Sequence, residues 1–183
     1  TKYRFHKIHD SFNNPNIKED LPFSINGCKG VIYIARRPDD VIVSFSNHFG
    51  ITIKQSFDFI LNERAYLGGA DREGLTQVRQ YLGTWGDHVD SWLNQKKLPL
   101  LLIKYEELLK NPVENFSNII NFLKLKKNHE FIKQATQLCN IENLRKKEIE
   151  EGGFIERMNQ NQYFFRSGVE GEGKRALSSI QIE

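Results

Sequence analysis

A short apolar run that ends abruptly in charge and proline does the most to limit what this chain can become. Gly30-Val31-Ile32-Tyr33-Ile34-Ala35 is apolar and β-branched, and Arg36-Arg37-Pro38-Asp39-Asp40 follows without a break. The first part reads as a buried strand. The second reads as a helix start, because proline suits the first helical position and acidic side chains suit the first turn. The spacing predicts a helix from Pro38 to about Phe49, stopped by Gly50. A strand that runs straight into a helix is the opening half of a β–α–β unit.

The rest of the chain repeats that alternation. Leu98–Tyr105 is a second strand-like run, and Pro112 opens a helix with Val113, Phe116, Ile119, Ile120 and Leu123 spaced for burial. Helical periodicity also covers Ser56–Leu67 and Gln77–Asn94, the latter with Trp85, Val89, Trp92 and Leu93 on or near one face. Further helices are predicted over Phe131–Leu138 and Ile141–Glu151. Beyond Gly152 the pattern weakens into a long loop with Phe164, Phe165 and a glycine cluster. Strands alternating with helices imply an α/β fold, a largely parallel central sheet flanked by helices. No repeat, low-complexity tract or linker divides the 183 residues, so residues 1–183 are read as a single domain. In such sheets ligands bind beyond the carboxyl ends of the strands, which singles out Arg36, Arg37, Lys104 and Tyr105.

Composition removes several classes of function. Hydrophobic residues are 39% and charged residues 27% of the chain, ordinary values for a globular protein. No apolar stretch approaches the roughly 18 residues of a membrane span. A net charge of +3 is too small to argue for nucleic acid. The basic runs Lys124-Leu125-Lys126-Lys127 and Arg145-Lys146-Lys147 each lie close to glutamates and read as solvated helix faces. Cys28 and Cys139 form neither a disulfide framework nor a zinc motif, so reduced thiols in a cytoplasmic protein are expected, with no metal site. The expected partner is a small-molecule or carrier-bound substrate, not nucleic acid or membrane; oligomeric state is not legible. Thr1 is an unusual natural start, so the expectation is that upstream sequence is missing.

Two constellations are built to hold phosphate. Arg36 at a strand end and Ser44 eight residues later, inside the next helix, can grip one phosphate from two sides, with a planar fork of donors and a hydroxyl. In Phe165-Arg166-Ser167-Gly168-Val169-Glu170-Gly171-Glu172-Gly173-Lys174, glycines admit a phosphate close to the backbone and Arg166 can pair with it. Gly168–Lys174 also spells G-x-x-x-x-G-K, the front of a P-loop, which keeps a nucleotide kinase or NTPase open as an alternative. Against it, Arg175 occupies the Ser/Thr position, only Tyr163-Phe164-Phe165 is available as the preceding strand, and nine residues remain after Lys174.

The string from Tyr33-Ile34-Ala35-Arg36-Arg37-Pro38-Asp39-Asp40-Val41 to Ser44-Phe45 resembles the 3′-phosphate site of the PAPS-dependent sulfotransferases of the soluble, cytosolic type. Trp85-Gly86-Asp87-His88-Val89-Asp90-Ser91-Trp92 is similar to that family's Trp-x-x-His-Val…Trp helix. Leu101-Leu102-Ile103-Lys104-Tyr105-Glu106-Glu107-Leu108 with Asn111-Pro112 is similar to its Tyr-Glu-Asp/Glu-Leu…Asn/Asp-Pro segment. The resemblance implies a P-loop nucleotide-kinase-like sulfotransferase fold, with PAPS as co-substrate and PAP as product, and sulfuryl transfer to a hydroxyl or amine. It places Tyr105 beside adenine, and Cys139, opening Cys139-Asn140-Ile141-Glu142-Asn143-Leu144, at the adenine border. It assigns Arg166, Ser167 and Gly168 to the 3′-phosphate loop, although Ser167 stands where lysine is usual and Gly173 where tryptophan is usual. Lys7-Ile8-His9 matches the family's Lys-x-His, which implies His9 as general base and Lys7 as the cation steadying the transferred group; His6 is the competing register. The family's 5′-phosphosulfate loop would lie upstream of Lys7, so the fold is expected to be incomplete at its N-terminus, without its first strand–loop–helix. A non-catalytic PAP-binding domain is the other alternative.

Overall fold

The computed structural model describes residues 4–14, 25–69, 78–154 and 156–178. In chain order its elements are β1 (Val31–Ala35), α1 (Pro38–Phe49), α2 (Ile53–Ile60), β2 (Tyr66–Leu67), β3 (Gln80–Tyr81) and α3 (Trp85–Asn94). There follow β4 (Leu100–Lys104), α4 (Tyr105–Lys110), α5 (Pro112–Phe122), α6 (His129–Leu138), α7 (Ile141–Glu150) and α8 (Glu172–Ala176). They fall in two compact units: Thr1–Val31 with Asp58–Leu100, and Ile32–Phe57 with Leu101–Glu183.

In the second unit β1 pairs with β4. Their carboxyl ends lie together, since the Arg37 amide donates to Glu106 at 2.9 Å just past both strands. The pair is therefore parallel, as the alternating pattern predicts. Helix α1 is built as its sequence requires: Pro38 begins it, and Gly50 ends it at φ 65° with its amide on the Ser46 carbonyl. Ile42 and Val43 of α1, Ile103, Ile120, Ile132 and Leu177 make the apolar core of this unit. The buried Ser56 hydroxyl donates to the Ile42 carbonyl at 2.7 Å and fixes the start of α2 on α1.

Two buried carboxylates then hold the irregular C-terminal segment. Asp40, with no exposed surface, accepts the Gly171 amide at 2.8 Å on Oδ2 and the Gly173 amide at 2.7 Å on Oδ1. Glu148 of α7, only 2% exposed, accepts the Phe164 and Phe165 amides at 2.8 and 3.1 Å. A carboxylate survives such burial only when hydrogen bonds replace its water, and here the replacement donors are backbone amides with no regular structure to satisfy them. At Gly173 the approach is so close that a Cβ would sit 2.3 Å from the Asp39 carbonyl carbon. Glycine at position 173 is what lets α8 close on the start of α1.

In the first unit β2 and β3 form an antiparallel pair with Tyr66 opposite Tyr81. Phe12, Ile60, Ala65, Tyr81, Trp92 and Leu98 are its buried apolar residues. The segment around His9 has no regular structure of its own and is pinned by its neighbours. The His9 amide donates to Gln80 Oε1 at 2.6 Å, and His88 Nε2 lies 3.0 Å from the His9 carbonyl. The Trp92 indole donates to the Asp10 carbonyl at 2.9 Å, and the Tyr81 amide to the Asp10 carboxylate at 2.9 Å. The Phe12 amide donates to Ser91 Oγ at 3.0 Å. Helix α3 is thus a rack on which residues 9–12 hang.

The structure corrects four local expectations. The helix over Ser56–Leu67 ends at Ile60, because the Asn62 side chain accepts the Arg64 amide at 2.9 Å and turns the chain into β2. Within Gln77–Asn94, Gln80–Tyr81 is a strand; Gly83 at φ 67° breaks it and Thr84 caps α3 by accepting the Asp87 amide at 3.0 Å. Gln77 itself lies outside the described residues. The strand over Leu98–Tyr105 is shorter, and Tyr105 already begins α4. The glycine-rich loop ends in a helix, α8, made possible by the Asp40 bonds.

Asp40→Ala would leave two buried amides unpaired; at about 1.5–3 kcal/mol per bond to a charged group, urea denaturation should show a loss of roughly 3 kcal/mol or more. Asp39→Ala removes a bridge to the half-exposed Arg37, which solvent screens, and should cost less than Asp40→Ala in the same measurement. Burial pulls the His88 pKa below its ordinary 6.5, outweighing the His9 carbonyl and Asp10, which favour the charged ring. The unfolded chain therefore binds the extra proton first, so this contribution to stability is complete above pH about 6.5 and is lost as pH falls through the folded value. Tm should decline from pH 7.5 to 5, and His88→Gln should flatten that slope; an unaltered slope would assign the decline to another group, and not to Asp10, whose burial-raised pKa makes the fold more stable as pH falls.

Candidate functional site

At the carboxyl end of β1 the Arg36 guanidinium lies 4.7 Å from the centre of the Tyr105 ring, a cation–π arrangement. One of its Nη atoms donates to the Val169 carbonyl at 3.3 Å, at the edge of the glycine-rich segment. Its Nε is buried and has no hydrogen-bond partner among the described residues. A buried guanidinium N–H without an acceptor is costly, so this donor marks a place where an acceptor belongs. Eight residues on, Ser44 is half-buried on α1, and its hydroxyl has no partner among the described residues.

The facing segment brings its own donors. Arg166 Nη2 and Ser167 Oγ both donate to Glu172 Oε2, at 2.5 and 2.9 Å. Burial works to raise the Glu172 pKa, but the hydrogen bonds from Arg166 and Ser167 and the charges of Arg166 and Arg36 outweigh it and hold the carboxyl below its ordinary value. Gly168 adopts φ 63°, and a Cβ there would meet the Ile141 side chain at 2.9 Å, so both conformation and space demand glycine. Ile141 begins α7 behind its Asn140 cap, which puts the exposed Cys139 two residues from the contact with Gly168. Arg145 Nε donates to the Phe165 carbonyl at 2.9 Å and adds a third tie to this segment.

The structure thus gathers Arg36, Tyr105, Arg166 and Ser167 about Val169 and Glu172, with Gly168 between them in sequence. Ser44 and Cys139 share no hydrogen bond or ion pair with that cluster among the described residues. Lys7 and His9, in the other unit, are exposed, and so is His6. The donors around Arg36 suit a phosphate: an orphaned guanidinium N–H, a second arginine, two hydroxyls and a glycine at positive φ. The P-loop alternative lacks its frame, because Tyr163–Phe165 forms no strand and Gly168–Lys174 runs from irregular chain into the five-residue α8. A surface hollow of about 550 Å³ beside the start of α5 is lined by Asn111, Pro112 and Val113 but by none of the residues assigned above to phosphate, adenine or catalysis.

Several contributors escape sequence reading. Asp40 and Glu148 hold the phosphate-loop segment, Glu106 holds the Arg37 amide, and Gln80 and His88 hold His9. Asp40 carries a visible signal, an acid in the first turn of a helix, but that signal speaks of the helix dipole and not of a loop some 130 residues away. The paired tryptophans with His88 between them are also visible, and their packing role is the one observed.

The family model for the sulfotransferase domain matches residues 20–183, which begins after Lys7 and His9. Cytosolic sulfotransferase 14 of Arabidopsis thaliana is 25% identical over 190 aligned residues, covering 100% of this chain and 50% of the relative. Sulfotransferase 1B1 of Mus musculus is 28% identical over 181, covering 91% and 57%, and flavonol 3-sulfotransferase of Flaveria bidentis is 26% identical over 175, covering 86% and 52%. The chain therefore spans about half the length of these relatives. Among solved structures, mouse sulfotransferase SULT7A1 complexed with PAP matches with a TM-score of 0.63 at 23% identity, over 84% of this chain and 54% of that one. Retinol dehydratase in complex with androsterone and PAP also gives 0.63, at 20% identity, over 93% and 51%. No helix among the described residues is long and apolar enough to cross a membrane. With the α/β architecture, the Arg36 cluster and a family match that takes in nearly the whole chain, these 183 residues belong to the sulfotransferase-domain family.

Proposed function

We propose that the intact protein transfers a sulfuryl group from PAPS to a hydroxyl or amine of a small-molecule acceptor, in a cytoplasmic setting, and that residues 1–183 belong to a single sulfotransferase domain whose first strand–loop–helix lies outside them. The observation that carries the reading is the buried Arg36 Nε without a partner, at a parallel-strand end opposite the Arg166–Gly168 loop. On this reading Arg36, Ser44, Arg166, Ser167 and the Gly168 backbone hold the 3′-phosphate, Tyr105 stacks on adenine, and Cys139 borders it. The relatives' names support a small acceptor, since one of them is a flavonol 3-sulfotransferase.

The chemistry assigned to the first unit is base and electrostatic catalysis. His9 accepts the acceptor's proton as the acceptor oxygen or nitrogen bonds to sulfur; the sulfur–oxygen bond to the 5′-phosphate breaks, and PAP leaves. Lys7 steadies the charge on the sulfonate oxygens. His88 and Gln80 fix the His9 backbone on either side of the ring-bearing carbon, which restrains where the imidazole can reach.

Two outcomes follow. Arg36→Ala should weaken PAP binding about tenfold or more, the worth of a charge-assisted bond, while adenosine 5′-phosphate loses far less; equal losses by calorimetry would refute the assignment. In single-turnover sulfation by the intact protein, His9→Ala should slow transfer by roughly 10²–10⁴ with nucleotide binding nearly unchanged, and His6→Ala should have little effect. The reverse pattern would transfer the role to His6, and tight PAP binding with no sulfated product would make this a binding domain.

A further inference from the structure

Glu172 stands in the phosphate cluster as an anion of the protein's own. The same oxygen, Oε2, takes the Arg166 guanidinium and the Ser167 hydroxyl, two of the donors that the proposed function sends to the 3′-phosphate. The charge of Arg36 acts on it as well, so the carboxyl stays ionised at neutral pH. A donor bonded to Glu172 is not available to a ligand, and a second anion brought beside a fixed carboxylate is repelled by it.

The reason lies in the neighbouring position. Ser167 offers only a hydroxyl, so the cation left for the carboxylate is Arg166. The cluster is consequently unbalanced. Arg166 is neutralised from within, while Arg36 Nε has no acceptor among the described residues. A 3′-phosphate would gain the Arg36 donor but would have to take Arg166 from Glu172, or share it.

We infer that Glu172 is an internal competitor for the 3′-phosphate, so that this protein distinguishes 3′-phosphorylated from unphosphorylated adenosine nucleotides less sharply than its donor set would allow. This rests on the proposed nucleotide reading. Helix α8 does not need the charge for its placement, because Asp40 holds it through the Gly171 and Gly173 amides.

The test is calorimetric titration of the intact protein with PAP and, separately, with adenosine 5′-phosphate, which differs only in the 3′-phosphate. Glu172→Gln should tighten PAP binding about tenfold and leave adenosine 5′-phosphate unchanged, because it removes the like charge and keeps the size. Glu172→Asp, with the carboxylate drawn back by one methylene, should give a smaller gain in the same direction and serves if the glutamine variant does not fold. Weaker PAP binding in these variants would make Glu172 an organiser of Arg166 and overturn the inference, and unchanged binding would overturn it too. A wild-type protein with no preference for PAP would instead defeat the nucleotide reading beneath it, and with it this inference.

Discussion

The Asp40 carboxylate is the interaction on which the candidate phosphate cluster depends. Its two oxygens take the amides of Gly171 and Gly173, and nothing else in the described structure fixes the end of the glycine-rich segment so firmly. Asp40 sits four residues after Arg36 at the start of α1. The strand end that presents the arginine and the helix turn that clamps the loop are therefore one rigid piece. Arg166, Ser167 and Gly168 reach the neighbourhood of Arg36 because of that clamp. Glu148 acts in the same manner further back, on Phe164 and Phe165, so irregular chain is held at two points by buried charge. Such carboxylates are tolerated because every bond replaces water that burial removed.

Electrostatics explains why the cluster tolerates two arginines. Arg36 shares its charge with the Tyr105 face and the Val169 carbonyl, and Arg166 with Glu172. Arg36 Nε, buried and without a partner among the described residues, is the group whose geometry calls for an outside acceptor. In the other unit the logic differs. His88, whose pKa burial lowers, meets the His9 carbonyl through its ring nitrogen, and His9 itself is exposed.

Much of this was legible in the residues. The strand at Val31–Ala35 with its proline-started helix, the αL glycine at position 50 and the helices after Pro112 and Asn140 follow local rules that tertiary structure does not override. The positions of Arg36 and Tyr105, each just past the end of a strand, were also legible. What stayed hidden depends on contacts distant in sequence. Asp40 looks like an ordinary acidic first turn, and only its burial against residues 171–173 reveals its work. Short strands such as Tyr66–Leu67 and Gln80–Tyr81 exist through their pairing and carry too few residues to show a period of two. Gly173 reads as a departure from the family pattern until the Asp39 backbone is found against it.

The central claim is that Arg36 Nε awaits the 3′-phosphate. The most direct measurement is side-chain NMR of the intact protein labelled with ¹⁵N-arginine, followed during titration with PAP and with adenosine 5′-phosphate. PAP should shift the Arg36 Nε–H resonance strongly downfield and protect it from exchange with water, and adenosine 5′-phosphate should leave it near its ligand-free position. Saturating PAP that leaves the Arg36 resonance where it was would contradict the account.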